Sequence, residues 1–360
     1  MITYDMIRRV PKVELHDHLD GGLRPKTIIE LAREYHIDLP SWDEDELRNW
    51  FVRGCKQKSL PLYLETFSVT TAVMQTKEAL YRVALEAMED YKAENVVYAE
   101  IRFAPALHTN NGLNLEEVVT AVLKGLDEGR KRTGVQFGVI LCAMRHEPPE
   151  STLEIAELAV AFSEKGVVGF DIAGDECGHP PKKHIDAFRY IRSKNFNITI
   201  HAGEAFGVES IWQAIQICGA HRIGHGVRLI EDMTTEGGKI LKMGSLSQFI
   251  QDRRIPMEMC LSSNVGTGAV ESYQSHPFPL FFKNSFRVFL CSDTRLMSDT
   301  NLTKEMDIAV REYGLTFRDL EKISINAMKS AFIHHPKKIQ IIYDVIKKEF
   351  ADLRAEYGIE

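Results

Sequence analysis

None of the chain's 360 residues fall in an apolar run approaching the roughly 18 positions a membrane-spanning helix needs, so no membrane association is expected. Excess basic charge is missing too. Lys and Arg number 44 against 51 Asp and Glu, for a net charge of -7, and such a chain has no field to hold a nucleic-acid backbone through counterion release. Cysteine is sparse and scattered at Cys55, Cys142, Cys177, Cys218, Cys260 and Cys291, with no C-x-x-C pair. That argues against a disulfide framework and leads us to expect a reduced, cytoplasmic protein. The first twenty residues mix Arg8, Arg9, Lys12, Glu14 and Asp17 with apolar positions, unlike a secretory leader. No stretch is rich enough in Pro, Gly or Ser to serve as a linker, and no repeat recurs at solenoid periods, so residues 1–360 are read as one domain. Phosphate-binding G-x-x-x-x-G-K-[ST], H-E-x-x-H, G-x-S-x-G, and a G-x-G-x-x-G opening a helix are all absent. So is the H-x-E with P-C-x-x-C pattern of the compact zinc deaminases.

What is present is alternation. Runs rich in β-branched and aromatic residues recur at Val13–Leu19, Val96–Phe103, Phe137–Met144, Val167–Ile172, Ile198–His201, Arg222–His225, Ile255–Leu261 and Arg287–Cys291. Helical periodicity fills intervals between them, as at Thr76–Glu94 and Leu115–Thr133. Eight strands each followed by helix predict a (β/α)8 barrel of the TIM type, with an open doubly wound sheet as the competing α/β architecture. An insert at Lys26–Gln75 follows the first strand and is placed to cap the barrel mouth. Helices are expected over Phe317–Tyr357, with Ile339, Ile342, Val345, Ile346 and Phe350 on one apolar face packed against the barrel.

The chemistry-bearing residues gather at strand ends. His16 and His18 are two apart on the first strand, so they point to the same side and can converge on one metal ion. His201 ends the fifth strand, with Glu204 just beyond it across Gly203. His225 sits between two glycines at the end of the sixth, and Asp293 follows the eighth. Taken singly, each has an ordinary structural explanation, such as a turn or helix cap for Asp293. In a closed barrel all four clusters would face one axis. Three imidazoles and a carboxylate suit a catalytic Zn²⁺, though Fe²⁺, Co²⁺ or Mn²⁺ also accept such donors. With a carboxyl group nearby to move protons, metal-assisted hydrolysis is the expected reaction class.

Val13-Glu14-Leu15-His16-Asp17-His18-Leu19-Asp20-Gly21, Asp171-Ile172-Ala173-Gly174-Asp175-Glu176, His201-Ala202-Gly203-Glu204, Gly224-His225-Gly226 and Ser262-Ser263-Asn264, in that order, resemble the adenosine deaminase family of the amidohydrolase superfamily. The resemblance implies one zinc held by His16, His18, His201 and Asp293, and hydrolysis of adenosine or 2′-deoxyadenosine to the inosine and ammonia. It gives Glu204 the role of proton donor to the ring nitrogen beside the attacked carbon, and His225 that of orienting and deprotonating the attacking water. Gly174 would meet the purine through its backbone N–H, Asp20 a ribose hydroxyl, and His18 the substrate as well as the metal. Leu60, Tyr63, Leu64 and Phe67, at i, i+3, i+4 and i+7, form an apolar helix face that resembles the family's lid over the nucleoside. Thr294 is a departure, because many members carry a second Asp there against a purine nitrogen; its hydroxyl can make one such hydrogen bond but carries no charge. Asp20 favours a nucleoside over free adenine, since adenine-specific members usually carry Glu there, and an acidic residue beside the sugar disfavours AMP. A modified adenine nucleoside, adenine itself, or a non-catalytic nucleoside-binding barrel are the alternatives. The expected partner is a small purine nucleoside; the sequence does not reveal protein partners.

Overall fold

The computed structural model describes residues 2–359. Its centre is a ring of eight parallel strands: β1 (Lys12–His18), β2 (Val96–Phe103), β3 (Gln136–Met144), β4 (Val167–Ala173), β5 (Asn197–Ala202), β6 (Arg222–His225), β7 (Met257–Met259) and β8 (Val288–Leu290). Neighbours in sequence are neighbours in the sheet, and a parallel bridge between Asp17 and Asp293 brings the last strand back to the first. This is the TIM-type barrel expected, and the open sheet is set aside. Both faces of the strands are covered, so polar strand residues such as Glu14, His16, Glu100, Arg102 and Glu258 are as buried as the apolar Val13, Leu15 and Ile101 beside them.

Local chemistry accounts for the helix limits. Thr76 caps Lys77–Ala93 through its side chain, and Asn114 with Glu117 forms a capping box for Leu115–Thr133, which ends at Gly134 in the left-handed region. Gly125 and Gly129 let these two helices approach closely, because a Cβ at Gly125 would lie 2.3 Å from the Tyr81 carbonyl oxygen.

Two expectations need correction, and one element was not expected. The seventh strand is shorter than Ile255–Leu261, because Leu261 already begins the helix Leu261–Gly266. In the C-terminal helices, Ile339 is 40% exposed rather than part of the packed face. Val345 is only half-buried as well, whereas Ile342, Ile346 and Phe350 are buried as expected; residues Ile341–Ile346 wind as a π-helix, which brings Ile341 into the face instead. Finally, an antiparallel hairpin, Met233–Glu236 with Lys239–Met243, follows β6; its Gly237-Gly238 turn takes positive φ at both residues, a signal that was present in the sequence.

The insert after β1 forms four helices, Pro25–Tyr35, Glu44–Cys55, Leu60–Glu65 and Phe67–Ala72. The last two meet at Thr66, so the face expected as one continuous helix is split into two short ones. They lie over the C-terminal end of the barrel, where Leu60, Tyr63, Leu64 and Phe67 line its cavity.

Candidate active site

Strand alternation places His16 and His18 on the inside of β1, and β5 contributes His201. Asp293 follows β8 with φ of 62°, a left-handed conformation that aspartate tolerates better than most residues. Single ligand atoms of these four residues all lie within 4.8 Å of one another. His18 Nε2 is 3.1 Å from His201 Nε2, and Asp293 Oδ1 is 3.4 Å from His16 Nε2 and 3.5 Å from His18 Nε2.

The surroundings fix which atoms are free to ligate. His16 Nδ1 is 2.5 Å from Glu258 Oε2, and His201 Nδ1 is 2.9 Å from Asp171 Oδ2. A carboxylate opposite Nδ1 holds the proton there and leaves the Nε2 lone pair facing the centre. Two imidazole lone pairs directed at a shared point repel unless a cation lies between them, and the buried His16 Nε2 has no hydrogen-bond partner in the protein. Ser263 Oγ donates to Asp293 Oδ2 at 2.5 Å, leaving Oδ1 toward the histidines. Three neutral imidazoles and one carboxylate fit a divalent metal.

Below the cluster lies an ionic layer that the sequence did not disclose. Arg102 bridges Asp171 (2.7 Å) and Glu258 (2.8 Å), while Arg222 pairs with Glu258 and, at 2.7 Å, with Glu100. Burial alone would raise Glu258, but Arg102 and Arg222 hold it well below the usual carboxylate range. These groups orient the metal-facing histidines from behind.

Glu204 stands on the turn after β5, 5% exposed. Thr267 Oγ1 donates to its Oε1 at 3.0 Å, and His225 Nε2 lies 3.5 Å from its Oε2. Burial, then the charges of Asp293 and Glu176, push the Glu204 carboxyl up to about 8. Its backbone is anchored by a residue to which no role had been assigned. The Glu176 carboxylate accepts from the backbone N–H groups of Gly203, Glu204, Ala205 and Phe206 at 2.7–3.0 Å, and from Ser210 Oγ.

The remaining expected residues line one cavity of about 270 Å³ with the cluster at its floor. Gly174, at the end of β4, has φ of 103°, and a side chain there would be strained. Asp20 is 2% exposed with Oδ1 unpartnered in the protein, while its Oδ2 is 3.6 Å from His108 Nε2. The Thr294 hydroxyl pairs with Tyr63 from the lid and lies 3.1 Å from Ser298 Oγ. His146 lines the cavity, but Arg145 is buried behind it, donating to the His201 carbonyl at 2.5 Å.

Residues 11–348 match the family model described as adenosine deaminase. Over 359 residues the chain is 51% identical to adenosine deaminase 1 of Streptomyces coelicolor, covering 98% of this chain and 90% of that protein. The chain belongs to the adenosine deaminase family. Among solved structures it is similar to an adenine deaminase from Arthrobacter aurescens, at 25% identity and a TM-score of 0.85 over 95% of this chain and 98% of that one. It is also similar to Arabidopsis ADAL complexed with IMP, at 26% identity and a TM-score of 0.82 over 98% and 99% of the two chains. As in TIM-barrel enzymes generally, the candidate site lies at the C-terminal end of the barrel strands.

Proposed function

We propose that this adenosine deaminase family member hydrolyses adenosine, and 2′-deoxyadenosine, to the corresponding inosine and ammonia. One zinc ion would be held by His16, His18, His201 and Asp293, with residues 1–360 working as a single catalytic unit. When bound, zinc supplies the Lewis acidity that makes hydroxide available near neutral pH.

The observation that carries this reading is Glu204, a buried carboxyl with a raised pKa beside a four-donor metal cluster, lining the cavity at the barrel mouth. Attack of water oxygen at purine C6 drives electron density onto the adjacent ring nitrogen, and a protonated Glu204 donates its proton there. The C6–N bond then breaks and the amine leaves as ammonia. The hydrogens balance: the ring keeps the proton given by Glu204, while the two hydrogens of water go to the departing ammonia and back to Glu204. His225 lies across from Glu204 and orients the water. Gly174 gives the base edge room, and the apolar lid residues exclude bulk water, which strengthens the electrostatics of the step.

Two features support a nucleoside over a nucleotide or a free base. Asp20 offers a buried, unpartnered oxygen suited to a sugar hydroxyl. Neither Lys nor Arg is among the residues lining the cavity, so nothing there would receive the phosphate carried by the ligand of the ADAL–IMP complex. No helix among the described residues is long and apolar enough to cross a membrane. All six cysteines are free, which supports a reduced, cytoplasmic setting.

The reading is tested with Glu204→Gln, which removes the proton donor without touching a ligand. Adenosine turnover should collapse while bound zinc stays at the wild-type level; near-normal turnover would refute the role given to Glu204.

A further inference from the structure

We propose that His276 is a positioning residue which, through Asn264, fixes the proton of His225 on Nε2, so that His225 meets the reacting water as a hydrogen-bond donor. The inference deepens the deamination reading and rests on it for the presence of that water.

The argument follows donor polarity link by link. A backbone N–H can only donate, and that of Phe278 lies 3.0 Å from His276 Nδ1, so Nδ1 accepts. His276 is 2% exposed, and burial lowers its pKa to about 3, so the ring is neutral and its one proton sits on Nε2. That Nε2–H lies 3.2 Å from Asn264 Oδ1. The opposite amide orientation would set two donors against each other, so the Asn264 nitrogen must point away from His276. It points at His225 Nδ1, 3.0 Å distant. An amide nitrogen does not accept, so His225 Nδ1 is the acceptor and Nε2 carries the proton. Asn264 is fully buried in the helix Leu261–Gly266, with its backbone N–H donating to Cys260 O at 2.8 Å and its carbonyl accepting from Val270 N at 3.0 Å. No step of this relay has a second polarity of comparable energy, since reversing it would leave a buried donor facing a donor.

The consequence differs from the deprotonating role expected for His225. The neutral ring has no lone pair to offer at Nε2, so its contribution is to hold and polarise the water oxygen. His276 does not line the cavity and influences the reaction only through the ring it orients.

The test uses the full chain with ¹⁵N-labelled histidine, both zinc-loaded and chelated, with His225 assigned by comparison with a His225→Gln sample. Wild-type protein should show a protonated Nε2 and an unprotonated Nδ1 for His225. Asn264→Asp keeps the shape of the side chain but replaces the donor facing His225 with an acceptor. It should move the His225 proton to Nδ1 and lower kcat about tenfold or more with little change in KM. His276→Phe should also lower kcat and release the tautomer, and His276→Gln, which retains an N–H toward Asn264, should recover much of both. A His225 proton on Nδ1 in the wild type would overturn the proposal, as would an unchanged tautomer in Asn264→Asp. Because the NMR readout needs no turnover, a protein with the expected tautomer but no activity on adenosine would count against the deamination reading and leave this one standing.

Discussion

Glu204→Gln should stabilise the metal-free protein by a margin that grows with pH. The Glu204 carboxyl is pushed from 4.5 to about 8 by burial and then by Asp293 and Glu176, so the folded state retains a proton that the unfolded chain has already released. A raised carboxyl of this kind costs nothing below about pH 4.5. Its cost then rises by about 1.4 kcal/mol per pH unit until the folded-state value is reached, and is constant above that. Between pH 5 and 8 the wild type should therefore lose about 4 kcal/mol relative to the variant. The substituted glutamine side chain has no proton to lose, and its amide oxygen can still accept from Thr267. The assay is urea denaturation of both chelated proteins at pH 5, 6.5 and 8, comparing the difference in unfolding free energy at each pH. A difference that does not change with pH would refute the reasoning. Zinc added back should compress the trend, because a nearby cation favours the ionised carboxylate.

Other perturbations separate the parts of the site. Tyr63→Phe removes the lid's hydroxyl contact to Thr294 and Ser298; a net hydrogen bond of about 0.5–1.5 kcal/mol implies a KM for adenosine up to about tenfold higher, with kcat little altered. Gly174→Ala forces a side chain into a φ of 103°, and steady-state kinetics should show a raised KM alongside a stability loss of about 1–3 kcal/mol. Glu258→Gln leaves Arg102 and Arg222 short of a buried counter-charge and should cost about 3–5 kcal/mol in urea denaturation at pH 7. The same change loosens the Nδ1 proton of His16, so zinc affinity measured by chelator competition should fall about 10- to 100-fold.

The metal cluster was legible because strand geometry converts a two-residue spacing into a shared direction, and because barrel topology sends every strand end to one rim. That much sends His16, His18, His201, His225 and Asp293 to one rim; it was the family resemblance, not the spacing, that singled out His16, His18, His201 and Asp293 as the ligand set. The layer that governs them was not legible. Glu100, Arg102, Asp171, Arg222 and Glu258 are spread over four different strands, and no local pattern marks their partnership. The same holds for Glu176, whose grip on the Glu204 turn spans 28 residues, and for the relay from Phe278 to His225, which depends on the polarity of each atom. The split of the lid at Thr66 escaped because the apolar spacing of Leu60 to Phe67 continues unbroken across it. The hairpin at Gly237-Gly238, by contrast, carried a recognisable turn signal that a search for barrel strands passes over.

The account is tested most directly by ultraviolet turnover of adenosine, 2′-deoxyadenosine, adenine and AMP by the purified protein with its zinc content determined, repeated after chelation and after zinc is restored. Both nucleosides should be converted, with inosine appearing from adenosine, and the activity should vanish on chelation and return with zinc. Zinc-filled protein that leaves adenosine unchanged would contradict it.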